Sequence, residues 1–244
     1  MSEQRDLEGL SALVTGGTSG IGKAAAEQLA RYGAEVIVHG RDATRGQAVV
    51  DAISAEGGKA RFVAANLTDP AEVGALAEQA GEVDVLVNSA GYSWFGPTPE
   101  LDAATFSLLF TANVQAPYFL TAALAPKMAA RGSGSIINIG SMAGEIGMPG
   151  GAAYGATKAA LDSMTRSWAA EYSPAGVRIN TIASGPVYTA IQPAEVTKAV
   201  GATTIMARAA KPAEIANLVV FLASPKASYI TGAVIAADGG RTAI

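Results

Sequence analysis

Apolar residues along the chain follow two alternating rhythms. Short continuous apolar runs are separated by longer stretches in which apolar residues recur every three or four positions. "SALVTGG" (11–17) predicts a strand entering a glycine turn, and Ile21, Ala24, Ala25, Leu29 and Tyr32 then fall at helical spacing. "EVIVHG" (35–40) predicts a second strand, and 42–56 a helix closed by Gly57-Gly58. A third strand (60–67) leads to a helix opened by Asp69-Pro70, and a fourth (83–91) to a long helix over about 102–131, broken or kinked near Pro117. A fifth strand (134–141), a helix (153–173) and a sixth strand (177–184) follow. Residues 187–209 are irregular and polar, and "KPAEIANLVVFLAS" is a helix with Pro212 in its first turn. "GAVIAADGG" (232–240) is a seventh strand. Continuous apolar strands are covered on both faces, which means a parallel sheet with helices above and below. The expected fold is α/β: a single doubly wound domain over 1–244 around a mostly parallel seven-stranded sheet.

Composition narrows the chemistry. Half of the 244 residues are hydrophobic, enough for one large core. There are 17 basic against 21 acidic side chains and no basic block, so no nucleic-acid partner is expected. The start "MSEQRDLEGL" lacks the apolar centre of a signal peptide, and runs such as "NLVVFLAS" are too short for a bilayer. A soluble cytoplasmic protein without membrane contact is the expectation. With no cysteine, cysteine-type zinc sites and thiol nucleophiles are excluded. The single histidine, His39, ends an apolar run near no nucleophile elbow and is expected to be a strand-end residue. No metal site is expected. Acid–base work falls to Tyr, Lys, Asp, Glu or a bound cofactor.

"TGGTSGIG" (15–22) follows a strand and opens a helix. Gly16 lets the chain turn sharply, Gly20 lets a ligand approach the backbone, and Gly22 lets the helix pack close to the sheet. The free N–H groups of the helix start suit a pyrophosphate, with Thr18, Ser19 and Ile21 in the same turn. Further motifs are Asn88-Ser89-Ala90-Gly91 after the fourth strand, Asn113 in "TANVQAPYFLT", Ser141, and Tyr154 with Lys158 thirteen and seventeen residues later. Asp238-Gly239-Gly240 closes the last strand. In these motifs, over roughly residues 7 to 240, the chain resembles the short-chain dehydrogenase/reductase family. That resemblance implies a Rossmann-type fold and an oxidoreductase that interconverts a ketone and a secondary alcohol by hydride transfer with NAD(P)(H).

Tyr154 and Lys158 lie four apart, so they share a helix face. A phenol in water ionises near pH ~10, and neighbouring positive charge favours the phenolate. Tyr154 is therefore the expected general acid/base, with the hydroxyl of Ser141 holding the substrate oxygen. The small residues Gly155, Ala156 and Thr157 are expected to keep the helix slim beside the cofactor. By resemblance, Lys158 also bonds the nicotinamide ribose and Asn113 places a water in a proton relay.

Gly40 stands where an acidic residue would grip a ribose 2′-hydroxyl, and Arg41 follows. A missing carboxylate beside a guanidinium favours a 2′-phosphate, so NADP is expected, with NAD possible and Arg45 as a second contact. Asn66-Leu67 is expected at the adenine, with the Asn66 amide oxygen accepting from its amino group. By resemblance, Asn88, Ala90 and Gly91 are expected to line the cofactor. By resemblance, Val187 and Thr189 contact the nicotinamide amide, and 187–209 forms a mobile lid. Ser184 replaces a usual proline and is expected to loosen its turn. Trp94 and Phe95 are candidates for the entrance. Glu145, Glu195 and Lys198 are the few charges there, which suits a neutral, moderately apolar ketone or alcohol. Resemblance implies a homotetramer in which the 153–173 helix, with Leu161, Met164, Trp168, Ala169 and Tyr172 on one stripe, meets its copy. The alternatives are a non-catalytic dinucleotide sensor or scaffold and, among enzymes, a 3-oxoacyl thioester reductase or a short alcohol or sugar dehydrogenase.

Overall fold

Seven parallel strands lie in the order β3-β2-β1-β4-β5-β6-β7. They are β1 (Ser11–Val14), β2 (Glu35–Gly40), β3 (Lys59–Ala64), β4 (Val85–Asn88), β5 (Gly134–Ile139), β6 (Val177–Ser184) and β7 (Val234–Ala237). The computed structural model describes residues 5–244, so the first four positions of the polar start lie outside the described residues. The helices are α1 (Gly20–Arg31), α2 (Ala43–Ala55), α3 (Pro70–Ala80), α4 (Ala103–Phe110), α5 (Ala116–Arg131), α6 (Ala152–Tyr172), α7 (Ala194–Gly201) and α8 (Pro212–Ala223). No strand pair is antiparallel among the described residues. Apart from β2 and β6, which end where their runs end, the strands are shorter at their C-terminal ends than the apolar runs, because the chain leaves the sheet there to form the crevice.

Local chemistry starts the helices where the sequence places them. Asp42, Asp69 and Asp102 each accept a backbone N–H from the first turn of α2, α3 and α4, and Pro70 and Pro212 open their helices. One cluster of buried side chains joins α1, α2 and α8 to one face of the sheet. A second joins α3, α5 and α6 to the other. The strand order reverses between β1 and β4, and that switch point opens the crevice at the C-terminal ends of the strands.

Four expectations change. The long helix breaks at a π-helical turn, Thr111–Gln115, not at Pro117, which is buried in the first turn of α5. By length and composition Ala103–Arg131 is apolar enough to span a bilayer, contrary to the reading of the apolar runs. Its Leu109, Leu120, Leu124 and Met128 are buried, the last three in the second core cluster. Residues 187–209 contain α7. Finally, Leu161, Trp168 and Ala169 of the 153–173 stripe are buried in the second core cluster of the chain itself. The exposed aromatic residues nearby are Phe106, Tyr118 and Phe119 on α4 and α5.

Candidate active site

The β1–α1 turn is built to receive an anion. Gly16 has φ +66°, and a Cβ there would stand 2.9 Å from Ala90 Cα, so the turn lies directly against the Ala90–Gly91 segment. A Cβ at Gly22 would stand 2.4 Å from the Gly16 carbonyl oxygen, so this glycine accommodates the turn itself, not the sheet. The N-terminus of α1 has no side-chain cap from Ser19 and no acidic residue in its first turn, which leaves its N–H groups to a ligand. Thr189 folds over this end: its Cγ2 would stand 3.1 Å from a Cβ at Gly20. A cleft of about 590 Å³ between α1 and the 188–194 segment is lined by Gly20, Lys23, Tyr188, Thr189 and Lys211. Val187 is held by a bridge to Ala210. Deeper in the crevice, Asn88 Oδ1 is buried without a hydrogen-bond partner. These features fit a dinucleotide.

Thr18 explains the missing acid at position 40. A Cβ at Gly40 would stand 2.5 Å from Thr18 Cγ2, so the space for an acidic side chain is filled. Arg41 is exposed and has no ion pair or side-chain hydrogen bond among the described residues. Arg45 differs: it pairs with Asp42 at 3.0 Å and is committed to the start of α2. Asn66 also departs from its expected polarity. Its Oδ1 accepts from the Thr68 N–H and hydroxyl at 3.2 and 2.9 Å, which leaves Nδ2 as the free donor for a base. Leu67 is buried in the core beneath it.

At the reaction end, α6 carries Tyr154 and Lys158 on one face. Lys158 is only 6% exposed; its Nζ donates to the Ile139 carbonyl at 2.8 Å and lies 5.7 Å from the centre of the Tyr154 ring. The Phe95 ring packs against that ring at a tilt of 57°, with centroids 5.3 Å apart. Ser141 begins a short 3₁₀ turn (Met142–Gly144) after β5, and its Oγ accepts the Ala143 N–H at 3.2 Å. The Ser141 hydroxyl proton and the Tyr154 hydroxyl have no protein partner among the described residues and remain for a ligand. Asn113 sits in the π turn, where Nδ2 donates to the Tyr92 carbonyl (2.8 Å) and Thr157 Oγ1 (3.0 Å), while Oδ1 accepts the Tyr92 N–H at 2.7 Å. Both its donors are used, so only the remaining lone pair of Oδ1 is left on the side chain for a water.

Known proteins show which family the chain falls in. A family model described as Enoyl-(Acyl carrier protein) reductase matches residues 16–242. A solved structure described as a short chain dehydrogenase/reductase family protein is 49% identical, with a TM-score of 0.92, covering 98% of this chain and 100% of its own. The chain belongs to the short-chain dehydrogenase/reductase family. It is accordingly an oxidoreductase, and the family reaction is hydride transfer between a ketone and a secondary alcohol with a nicotinamide dinucleotide. The gluconate 5-dehydrogenase of Gluconobacter oxydans is 36% identical over 97% of this chain and 96% of its own. A blue fluorescent protein from a metagenomic library, solved in complex with NADPH, is 37% identical, with a TM-score of 0.92, over 97% of this chain and 99% of its own.

Several residues that shape this dehydrogenase/reductase site carry no short-range signal in the sequence. Thr15 Oγ1 accepts the N–H groups of Ser89 and Ala90 and donates to the Val87 carbonyl, pinning β1 to the crevice. His39 Nδ1 accepts the Gly16 N–H at 3.3 Å, so Nε2 carries the proton and donates to the Ala65 carbonyl at 3.0 Å. Burial lowers the His39 pKa below its ordinary value, so it is a neutral strut for the glycine turn, not a base. Thr157 is fully buried and bridges Asn113 to the Tyr154 carbonyl. The Ser184 hydroxyl donates to the Gly140 carbonyl at 3.2 Å, beside Ser141, a bond that a proline at this position could not make.

Gly155 serves the Ser141 turn. A Cβ there would stand 2.5 Å from the Ala143 carbonyl oxygen, so the turn lies flush on α6. Gly155→Ala should therefore cost about 1–2 kcal/mol despite its better helix propensity. It should also lower kcat about tenfold by displacing Ser141. Thermal unfolding and steady-state rates check both expectations.

Asp162, one turn beyond Lys158, is 5% exposed, and burial raises its carboxyl from 3.8 to about 6, with Glu145 adding to the rise. A carboxyl with a raised native pKa costs stability when ionised, and the cost is relieved as pH falls from about 6 toward 3.8. Asp162→Asn is expected to be more stable than the parent at pH ~8 by up to about 3 kcal/mol, with the difference nearly gone at pH ~4. Denaturant unfolding at the two pH values measures it.

Proposed function

We propose that this protein is an NADP-preferring carbonyl reductase or alcohol dehydrogenase, acting on a neutral, moderately apolar ketone and its secondary alcohol. The carrying observation is the buried Lys158 ammonium, set beside the Tyr154 ring and next to the turn that presents Ser141. NADPH, when bound, supplies the hydride and NADP⁺ takes it back. Tyr154 gives its phenolic proton to the carbonyl oxygen during reduction and receives it during oxidation. The Ser141 hydroxyl donates to the same oxygen and fixes it within reach of Tyr154. Lys158 holds positive charge at the phenol and binds the ribose of the nicotinamide half, while Asn113 orders the Tyr92 backbone and the water relay behind it. Gly16, Thr18, Ser19, Gly20, Ile21 and Gly22 hold the pyrophosphate. Arg41 takes the 2′-phosphate, Asn66 and Leu67 the adenine, and Asn88, Ala90 and Gly91 the nicotinamide half with Val187 and Thr189.

The substrate class is supported by the walls. Phe95 covers Tyr154, and Trp94 folds over Gly96, whose N–H donates to Gly150 and so joins the two entrance loops. Tyr188, Ile191 and Met206 expose apolar surface on the 187–209 segment, which we assign as the lid. Arg208, the nearby guanidinium, is paired with Glu214 at 2.7 Å. A cytoplasmic homotetramer is part of the same reading, with Phe106, Tyr118 and Phe119 as the exposed surface available to a second copy. A panel of ketones assayed by NADPH consumption tests the function. Neutral apolar ketones should turn over fastest. Fastest turnover of polyanionic or carrier-bound ketones would contradict the substrate class, and cofactor binding without any turnover would favour a sensor.

A further inference from the structure

A buried polar chain crosses the sheet behind the reaction centre. Asn88 Nδ2 donates to Asn138 Oδ1 at 2.8 Å, and Asn138 Nδ2 donates to Thr165 Oγ1 at 2.8 Å. Thr165 has accepted from Asn138, so its own proton is available to Thr181 Oγ1, 2.8 Å away. The Thr181 hydroxyl is then left to donate to Asp162, an interaction that favours the carboxylate. Every donor in the chain points the same way, and the chain ends on an acceptor. Its two terminal side chains, Asn88 and Asp162, carry two of the four buried side-chain oxygens that lack a hydrogen-bond partner among the described residues, Asn88 Oδ1 and Asp162 Oδ1. Buried oxygens are rarely left so.

Asp162 lies directly behind Ser141. A Cβ at Gly144 would stand 3.1 Å from Asp162 Oδ2, and one at Gly140 would stand 3.4 Å from Oδ1. The glycines let the segment pack flush beside this carboxylate: a Cβ at Gly140 would meet Thr181 Cγ2 at 2.5 Å, and one at Gly144 the α6 backbone at Ala159 N at 2.9 Å. Along α6, Asp162 follows Lys158 by one turn and Tyr154 by two, a rise of about 6 and 12 Å. The charged groups facing it are Lys158 and Arg166 on α6 and Glu145 in the segment after the Ser141 turn, with the Thr181 hydroxyl from β6.

We propose that Asp162 is a positioning residue of the reaction centre: its carboxylate, seated between Gly140 and Gly144 behind Ser141, is the internal counter-ion of Lys158 and favours the oxidised, positively charged cofactor over the reduced one. This rests on the dinucleotide reading above. The two cofactor forms differ by one positive charge on the nicotinamide ring. A fixed negative charge behind the ring's binding end therefore acts on their ratio and not on features they share. Pyrophosphate, ribose and 2′-phosphate contacts cancel in that ratio, as does any titration of His39 at the far side of the glycine turn.

The test is the ratio of dissociation constants, Kd(NADP⁺)/Kd(NADPH), for the full chain and for Asp162→Asn. NADPH is followed by its fluorescence and NADP⁺ by displacement, between pH ~5 and ~8. In the parent the ratio should rise about threefold on acidification, the size expected for unit charges roughly 12 Å apart in a partly hydrated site. The change should centre near 6, where the Asp162 carboxyl titrates. Asp162→Asn should show the low-pH ratio throughout. A structural role alone would change both constants together and leave the ratio fixed. If the variant does not fold, the parent titration decides alone, and a flat ratio overturns the proposal. A variant ratio equal to the parent's at pH ~8 overturns it as well. A parent that binds neither cofactor overturns the dinucleotide reading, and this proposal with it, and is distinguishable from a parent that binds both with a flat ratio.

Discussion

Tyr154→Phe should lose on the order of 10³-fold in kcat while its dissociation constant for NADPH stays within about twofold of the parent's. The phenylalanine keeps the ring that packs against Phe95 and lies beside Lys158, so the walls of the site are unchanged. Only the hydroxyl is lost. That hydroxyl has no hydrogen bond to the protein among the described residues, so removing it strands no buried partner and should leave stability within about 0.5 kcal/mol. The contrast with Gly155→Ala separates the two roles: one variant removes the proton donor, the other displaces the turn that holds the oxygen. Retained turnover in Tyr154→Phe would mean that the proton comes from elsewhere, and the assignment of the tyrosine would fall.

Arg41→Ala should weaken NADPH by about 10- to 100-fold and NADH by less than about twofold, a range set by charge-assisted bonds to one phosphate. The expectation depends on three neighbours. Thr18 fills the space in which an acidic residue at position 40 would reject the phosphate. Arg45 is tied to Asp42 and does not replace the lost guanidinium. Arg41 itself forms no ion pair among the described residues, so it is free to serve a ligand. Equal losses for the two cofactors would remove Arg41 from the phosphate site. Titration of nucleotide fluorescence in the two proteins distinguishes these outcomes.

The strands were legible because burial on both faces of a parallel sheet forces continuous apolar runs, and β6 occupies the very range, 177–184, that its run predicts. The glycine turn and the Tyr154–Lys158 pair were legible because their spacing is local: a βα turn and one turn of helix. What stayed hidden acts across long separations. Thr15 reaches Ser89 and Ala90 over 74 and 75 residues, and His39 reaches Gly16 over 23. Nothing local distinguishes a threonine that pins a loop from one on a surface. The small residues after Tyr154 were visible but their neighbour was not, because the Ala143 carbonyl approaches from another element. Helix α6 shows the same limit: an apolar stripe at helical spacing reads identically whether it meets its own sheet or a partner. Here Leu161 and Trp168 are buried in the second core cluster of the chain itself. The π turn at Thr111–Gln115 also lacks a local marker, and the nearby Pro117 attracts the break to the wrong place.

Everything assigned to Ser141, Tyr154, Lys158 and Arg41 depends on a bound dinucleotide. The pair of dissociation constants for NADPH and NADH on the purified parent protein tests that most directly. Tight NADPH binding with NADH at least about tenfold weaker is the result this site predicts. A preference for NADH would contradict the role of Arg41, and binding of neither would contradict the reading of the crevice as a whole.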